Sequence, residues 1–379
     1  MYNVFDVKIK FNNKIKLYDI NHAICILFFL YYICTGMNIN TYNFFTKFSI
    51  YLYSLGSLIV LLFLFNKIIK QSKIELFILY FSVIFLLFNK LIVNMGLGSM
   101  LIIIIIFITL ITGQYYNLTN KQIKTISFFM MMNWLYNILF YDRYINPNII
   151  SYFIMLGMIY GCIYFSEYKV SKLVAGGIIL CSMMVILKLE SRGALLGVIT
   201  FTGITYLLPK KILSKKFVIY TIVWGLIIGS IIFVIVYTYL WKHNITFNIP
   251  FTTKSLYSGR EHIWSEVLRA LDGNYITGIG SNYNLQSFFI FNIHNSILYI
   301  IASYGMPIFL VYVVLLTLVF SKIDSKIYNL KQARYALAGF CATLIVSFFE
   351  TNLVWIDVVY QSLFFLIICC SIDSSKLNK

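Results

Sequence analysis

The chain has 379 residues, of which 60% are hydrophobic and only 11% charged. A water-soluble domain of that length must present roughly half its surface to water and has no room for so much apolar side chain, so lipid is the solvent for most of it. The formal net charge of +17 fits the Lys- and Arg-rich cytoplasmic loops of a membrane protein, and no nucleic-acid partner is expected.

Residues 1–20 are polar and Lys-rich, with no small-residue cleavage site after the first apolar run. They predict a cytoplasmic tail and not a removable signal peptide. Apolar runs then predict twelve spans near 21–36, 48–66, 74–89, 97–113, 125–141, 149–166, 173–189, 193–208, 217–241, 292–320, 335–350 and 353–371. The stretches 100–111 and 218–239 carry no charge at all. The expected fold is an all-α, polytopic transmembrane helical bundle. No repeat or low-complexity linker divides it, so residues 1–379 read as a single integral membrane domain with one large extracytoplasmic loop at about 242–291.

With the N-terminus inside, 21 of the 30 basic residues fall in inner loops, as the positive-inside rule expects, and twelve crossings return the C-terminus to the cytoplasm. The nine outer ones are Lys47, Lys90, Arg143, Lys188, Arg192, Lys242, Lys254, Arg260 and Arg269. Four of the five arginines are therefore outside, whereas 20 of the 25 lysines are inside. Topology needs only positive charge, which Lys supplies. Arg adds a rigid fork suited to phosphate and carboxylate, so the outer face is expected to handle an anionic ligand.

The turn Glu190-Ser191-Arg192-Gly193 joins the seventh and eighth spans. Arg192 there either snorkels to headgroups, pairs with Glu190 or joins a site with Arg260. In the outer loop, Ser258 followed by Glu261 has capping-box spacing. Ile263, Trp264, Val267, Leu268 and Leu271 recur at helical spacing up to Gly273, which predicts an amphipathic helix against the membrane or the bundle. Arg260 falls on its apolar side, where a cation opposes the helix dipole at a cost of about 0.3–1 kcal/mol. A bound phosphate would offset that cost, as would a salt bridge to an outer carboxylate. Arg269 lies on the opposite, solvated side.

Farther on, Gly278-Ile279-Gly280 is a turn at which backbone could approach a ligand. His294 opens His294-Asn295-Ser296 at the entrance to the tenth span; its imidazole is either a hydrogen-bonded structural group or a base for a sugar hydroxyl. Glu350 and Asp357 flank the last outer turn, as partners for the arginines or as acid/base groups. The seven cysteines, Cys25, Cys34, Cys162, Cys181, Cys341, Cys369 and Cys370, lie in or beside apolar runs without metal-site or disulfide spacing. They are expected to pack only, and neither metal nor cofactor is expected.

The order Ser191-Arg192-Gly193-Ala194-Leu195-Leu196-Gly197, Arg260 with Ile263-Trp264, Gly278-Ile279-Gly280, His294-Asn295-Ser296 and Gly305 resembles the O-antigen polymerase (Wzy-type) and O-antigen ligase superfamily, over residues 173–316. The resemblance implies metal-independent glycosyl transfer at the outer leaflet of the bacterial inner membrane. The donor would be an oligosaccharide on undecaprenyl pyrophosphate. Arg192 and Arg260 would hold the pyrophosphate, His294 would serve as candidate base, and Glu261 and Asn295 would complete the substrate site. A chain-length regulator and a flippase would be partners. The polymerase joins glycan to a lipid-linked repeat, the ligase to lipid A–core; the Ile-, Lys-, Asn-, Tyr- and Phe-rich composition favours the polymerase. A lipid-linked oligosaccharide flippase is the competing class, but it would place charges near the bilayer midplane, not at its surface.

Overall fold

The computed structural model describes residues 56, 58, 61, 68–70, 73–115, 118–143, 146–169, 171–246, 257–285, 292–354 and 356–372, apart from the side chains of 143, 356–358 and 360. The expected span 21–36, most of 48–66, His22, Cys25, Cys34 and the Asp357 side chain lie outside these residues.

All regular structure among the described residues is helical. In chain order it comprises α1 (Lys73–Ile92), α2 (Leu97–Gly113), α3 (Asn120–Leu139), α4 (Pro147–Phe165), α5 (Ser171–Lys188), α6 (Arg192–Thr202), α7 (Lys210–Leu213) and α8 (Lys216–Lys242). There follow α9 (Arg260–Leu271), α10 (Ser296–Tyr304), α11 (Met306–Lys322), α12 (Lys331–Val346) and α13 (Ile356–Ser371). Local chemistry sets the starts. Thr119 and Gln122 form a reciprocal capping box before α3, and Asn146 with Pro147 at the first turn begins α4. A π-helical stretch, Gly203–Leu207, extends α6 toward Pro209.

Among the described residues four helices, α1, α4, α5 and α8, are long and apolar enough to cross a membrane by length and composition; α2, α6 with its π-helical extension, α11 and much of α13 are shorter apolar helices. The pattern of α1 shows why lipid is their solvent. Its buried stripe is Glu75, Leu79, Ser82, Leu86 and Asn89, while Phe77, Tyr80 and Leu91 are 66–84% exposed. A helix more apolar on its outside than toward its neighbours inverts the soluble pattern. At the centre stands α12, buried nearly throughout. Small residues let neighbours close on it: a Cβ on Gly197 of α6 would lie 2.3 Å from Met155 Sδ and 3.4 Å from the Ala342 carbonyl oxygen.

The bundle has two chemically different ends. At one, Lys322 pairs with Glu75 at 2.6 Å, Lys124 with Glu167 at 2.7 Å, and Lys331 donates to Ser171. At the other lie Asn148, Glu190, Arg192, Arg260, His294 and Glu350. This separation follows the expected alternation of Lys-rich and Arg-bearing loops.

The expected tenth span, 292–320, is not one helix. It breaks at Gly305, with φ of +85°, into α10 and α11. A Cβ there would lie 1.9 Å from the Ile276 carbonyl oxygen, so only glycine fits. Both ends of α10 stay near the arginine end. Ser296 bonds to Ser347 and Glu350, whereas the Tyr304 carbonyl accepts from Asn89 and its hydroxyl donates to Ser99. The crossing is left to α11, and α10 lies across the end of the bundle. Apolar runs record burial and not direction, so sequence periodicity joined the two.

Candidate functional site

A cavity of about 640 Å³ opens at the arginine end, within the size range of small-molecule sites. Its wall is assembled largely from helix starts. Asn148 stands in the first turn of α4, Arg192 and Gly193 open α6, and Gly259 and Arg260 open α9; His294 lies two residues before α10. Helix N-termini present unpaired N–H groups and the positive end of the dipole. Together with two guanidiniums they make this wall attractive to an anion. The end of α12 and the turn after it supply Val346, Phe349 and Glu350 opposite them.

Arg192, Arg260 and His294, widely separated in sequence, thus line one cavity. Arg192 is half-buried and feels the like charge of Arg260 and the opposite charge of Glu190. Arg260 Nη2 donates to Glu350 Oε1 at 2.8 Å, and the two side chains are only 16% and 18% exposed. The salt-bridge alternative expected for Arg260 is therefore realised with Glu350, and the guanidinium still faces the cavity. His294 Nδ1 lies 3.2 Å from Glu350 Oε2, and Asn148 Nδ2 donates to Oε1 at 3.1 Å.

The base candidate is held by the fold behind it. Trp264, fully buried, donates through Nε1 to the Ile293 carbonyl at 2.6 Å and packs on Phe233 and Tyr237. The expected amphipathic helix therefore lies against the bundle, on α8, with Arg269 exposed on its far side. Among the described residues three non-glycines have positive φ, and two of them, Glu190 (+50°) and His294 (+51°), line the cavity. Such residues cost about 1–3 kcal/mol each and persist only where surrounding contacts hold them. Each immediately precedes a helix cap, Ser191 for α6 and Asn295 for α10.

Several expected placements need correction. Ser258 is not the cap of α9; Gly259 is, with φ of +89°. Half of the capping box survives, because the Glu261 carboxylate accepts from the backbone N–H groups of Ser258 and Gly259 at 3.2 and 3.0 Å. Glu261 is 5% exposed and is absent from the cavity lining. Asn295 is fully buried: its side-chain oxygen caps α10 by accepting from Leu298, and its amide donates to Ser230 and to the Phe348 carbonyl. Both stand behind the wall and hold it. Gly278 and Gly280 admit close backbone approach, but to Ala302 and Asn94, where a Cβ would lie 2.5 and 2.4 Å from carbonyl oxygens. That turn packs α10 against the loop between α1 and α2, away from the cavity.

Glu350 was expected as a partner for the outer arginines or as an acid/base group, and it pairs with Arg260; Asn148 carried no signal in the sequence. Their shared position depends on how α4 and α12 pack.

Residues 176–313 match the family model described as O-antigen ligase. No curated protein matches the chain. The matched segment contains Arg192, Arg260 and His294, whereas Asn148 and Glu350 lie outside it. Over that segment the chain is similar to the O-antigen ligase family.

Proposed function

We propose that the protein is an O-antigen or capsular polysaccharide polymerase, transferring glycan from undecaprenyl pyrophosphate to a lipid-linked repeat at the outer face of the inner membrane. One observation carries the reading: two guanidiniums at helix starts share a cavity of about 640 Å³ with an imidazole. In the step itself an acceptor hydroxyl oxygen bonds to the anomeric carbon of the donor sugar. The bond from that carbon to the diphosphate oxygen breaks, and its electron pair leaves with the diphosphate. Arg192 and Arg260 offset the charge that develops there, and His294 takes the hydroxyl proton. The donor is already activated, so no nucleotide site is needed.

The description of the matched family, O-antigen ligase, supports a second reading in which the acceptor is lipid A–core. Deletion of the gene followed by gel analysis of surface polysaccharide separates them. A single-repeat product supports the polymerase. Intact lipid-linked polymer that never reaches lipid A–core supports the ligase. Loss of externally accessible repeat would overturn both in favour of a flippase.

A further inference from the structure

In the cavity, Glu350 touches both halves of the proposed chemistry. Its Oε1 accepts from Arg260 Nη2 at 2.8 Å and from Asn148 Nδ2 at 3.1 Å, while Oε2 lies 3.2 Å from His294 Nδ1. Its backbone is equally committed. The Glu350 carbonyl accepts from the buried Ser296 hydroxyl at 2.9 Å, and its N–H donates to the Val346 carbonyl at 3.0 Å. The turn after it is pinned by Asn352, whose amide donates to the Thr343 carbonyl and to the Tyr152 hydroxyl. The carboxylate therefore belongs to the fixed frame.

We infer that Glu350 is a positioning residue that orients His294 as the base and holds the Arg260 fork beside it; this rests on the transferase reading above. An ionised carboxylate offers only acceptor oxygens. A neutral imidazole facing it must carry its proton on Nδ1, which leaves Nε2 as the nitrogen with a free lone pair. That is the form required to receive the acceptor proton. Once the proton has moved, the same carboxylate faces the imidazolium and offsets its charge.

The shared carboxylate also couples the two ends of the reaction. A diphosphate arriving at Arg260 competes with Oε1 for the guanidinium, and Asn148 stays on that oxygen. Negative charge formerly shared with Arg260 is then available to the imidazolium. Donor binding and the base are linked through one side chain.

The test uses full-length protein in lipid nanodiscs, a purified lipid-linked repeat, and a double-mutant cycle. In Glu350→Gln the amide oxygen can still serve Arg260, but it then presents N–H to His294 and disfavours the Nδ1–H tautomer. The expected result is a kcat lower by roughly 100-fold or more, with donor KM within about threefold of wild type. Glu350→Asp, which keeps the carboxylate, should recover at least tenfold of that loss. In a His294→Ala background Glu350→Gln should cause no further loss, because its target is gone. A wild-type kcat in Glu350→Gln, or a full additional loss in the His294→Ala background, would overturn the inference. If His294→Ala itself turns over normally, the base assignment falls and the inference with it. A dead His294→Ala beside an active Glu350→Gln sinks the inference alone. Should Glu350→Gln fail to fold, the ring nitrogen chemical shifts of His294 in the wild-type protein read the tautomer directly: Nδ1–H is expected, and Nε2–H as the main neutral form would overturn the inference.

Discussion

Replacing Arg260 by Lys isolates what the guanidinium shape contributes. Arg260 donates one N–H to Glu350 at 2.8 Å, out of the five that the fork offers, and it faces the cavity at the first turn of α9. Lys keeps the charge and the length needed to meet Glu350, so the fold should survive with its half-buried carboxylate still paired. What it loses is the second parallel donor of a bidentate grip on phosphate. A hydrogen bond to a charged group is worth about 1.5–3 kcal/mol. Transfer of a lipid-linked glycan by purified Arg260→Lys should therefore fall roughly 10- to 100-fold in kcat/KM. Arg260→Ala should lose more, and should also lower the thermal midpoint by leaving Glu350 without its guanidinium, at a cost of about 1–3 kcal/mol. Wild-type kcat/KM in a folded Arg260→Lys variant would refute phosphate holding by this residue.

Trp264→Phe keeps most of the packing on Phe233 and Tyr237 but strands the Ile293 carbonyl. It should cost about 1–3 kcal/mol in thermal unfolding and lower kcat by loosening the residue next to His294. Asn295→Ala removes the cap of α10, worth about 0.5–2 kcal/mol. The expected readout is a lower unfolding midpoint with donor KM unchanged; a raised KM at unchanged stability would return Asn295 to the binding site. Gly305→Ala places a methyl against the Ile276 carbonyl oxygen and should abolish folded protein, scored as monodisperse yield after detergent extraction. A cysteine replacing Ser258 at the cavity mouth should react with a membrane-impermeant maleimide added outside intact cells, and labelling only after lysis would reverse the orientation.

Local order along the chain was enough for the class of fold and pointed to several residues of the candidate site. Apolar runs as long as a bilayer is thick admit few structures but helices, because lipid leaves backbone groups no other partner. Segregation of Arg from Lys between alternate loops singled out Arg192 and Arg260, and helical spacing found α9 with Trp264 on its inner face. These signals depend on neighbours within a few residues, or on charge that the membrane sorts regardless of packing.

What only the tertiary structure decided depends on residues far apart in sequence. The break at Gly305 exists because the Ile276 carbonyl occupies the space beside it, 29 positions away. Asn295 and Glu261 carry polar side chains like those of a binding site, yet packing turned both toward backbone donors and acceptors behind the wall. Glu350 became the centre of the site because α12 delivers its carboxylate to Arg260 across 90 residues and to His294 across 56. No period or motif encodes such distances. They follow from helices sliding together until the small residues of α6 and α12 meet, and the cavity is what the starts of α4, α6 and α9 and the end of α12 leave open.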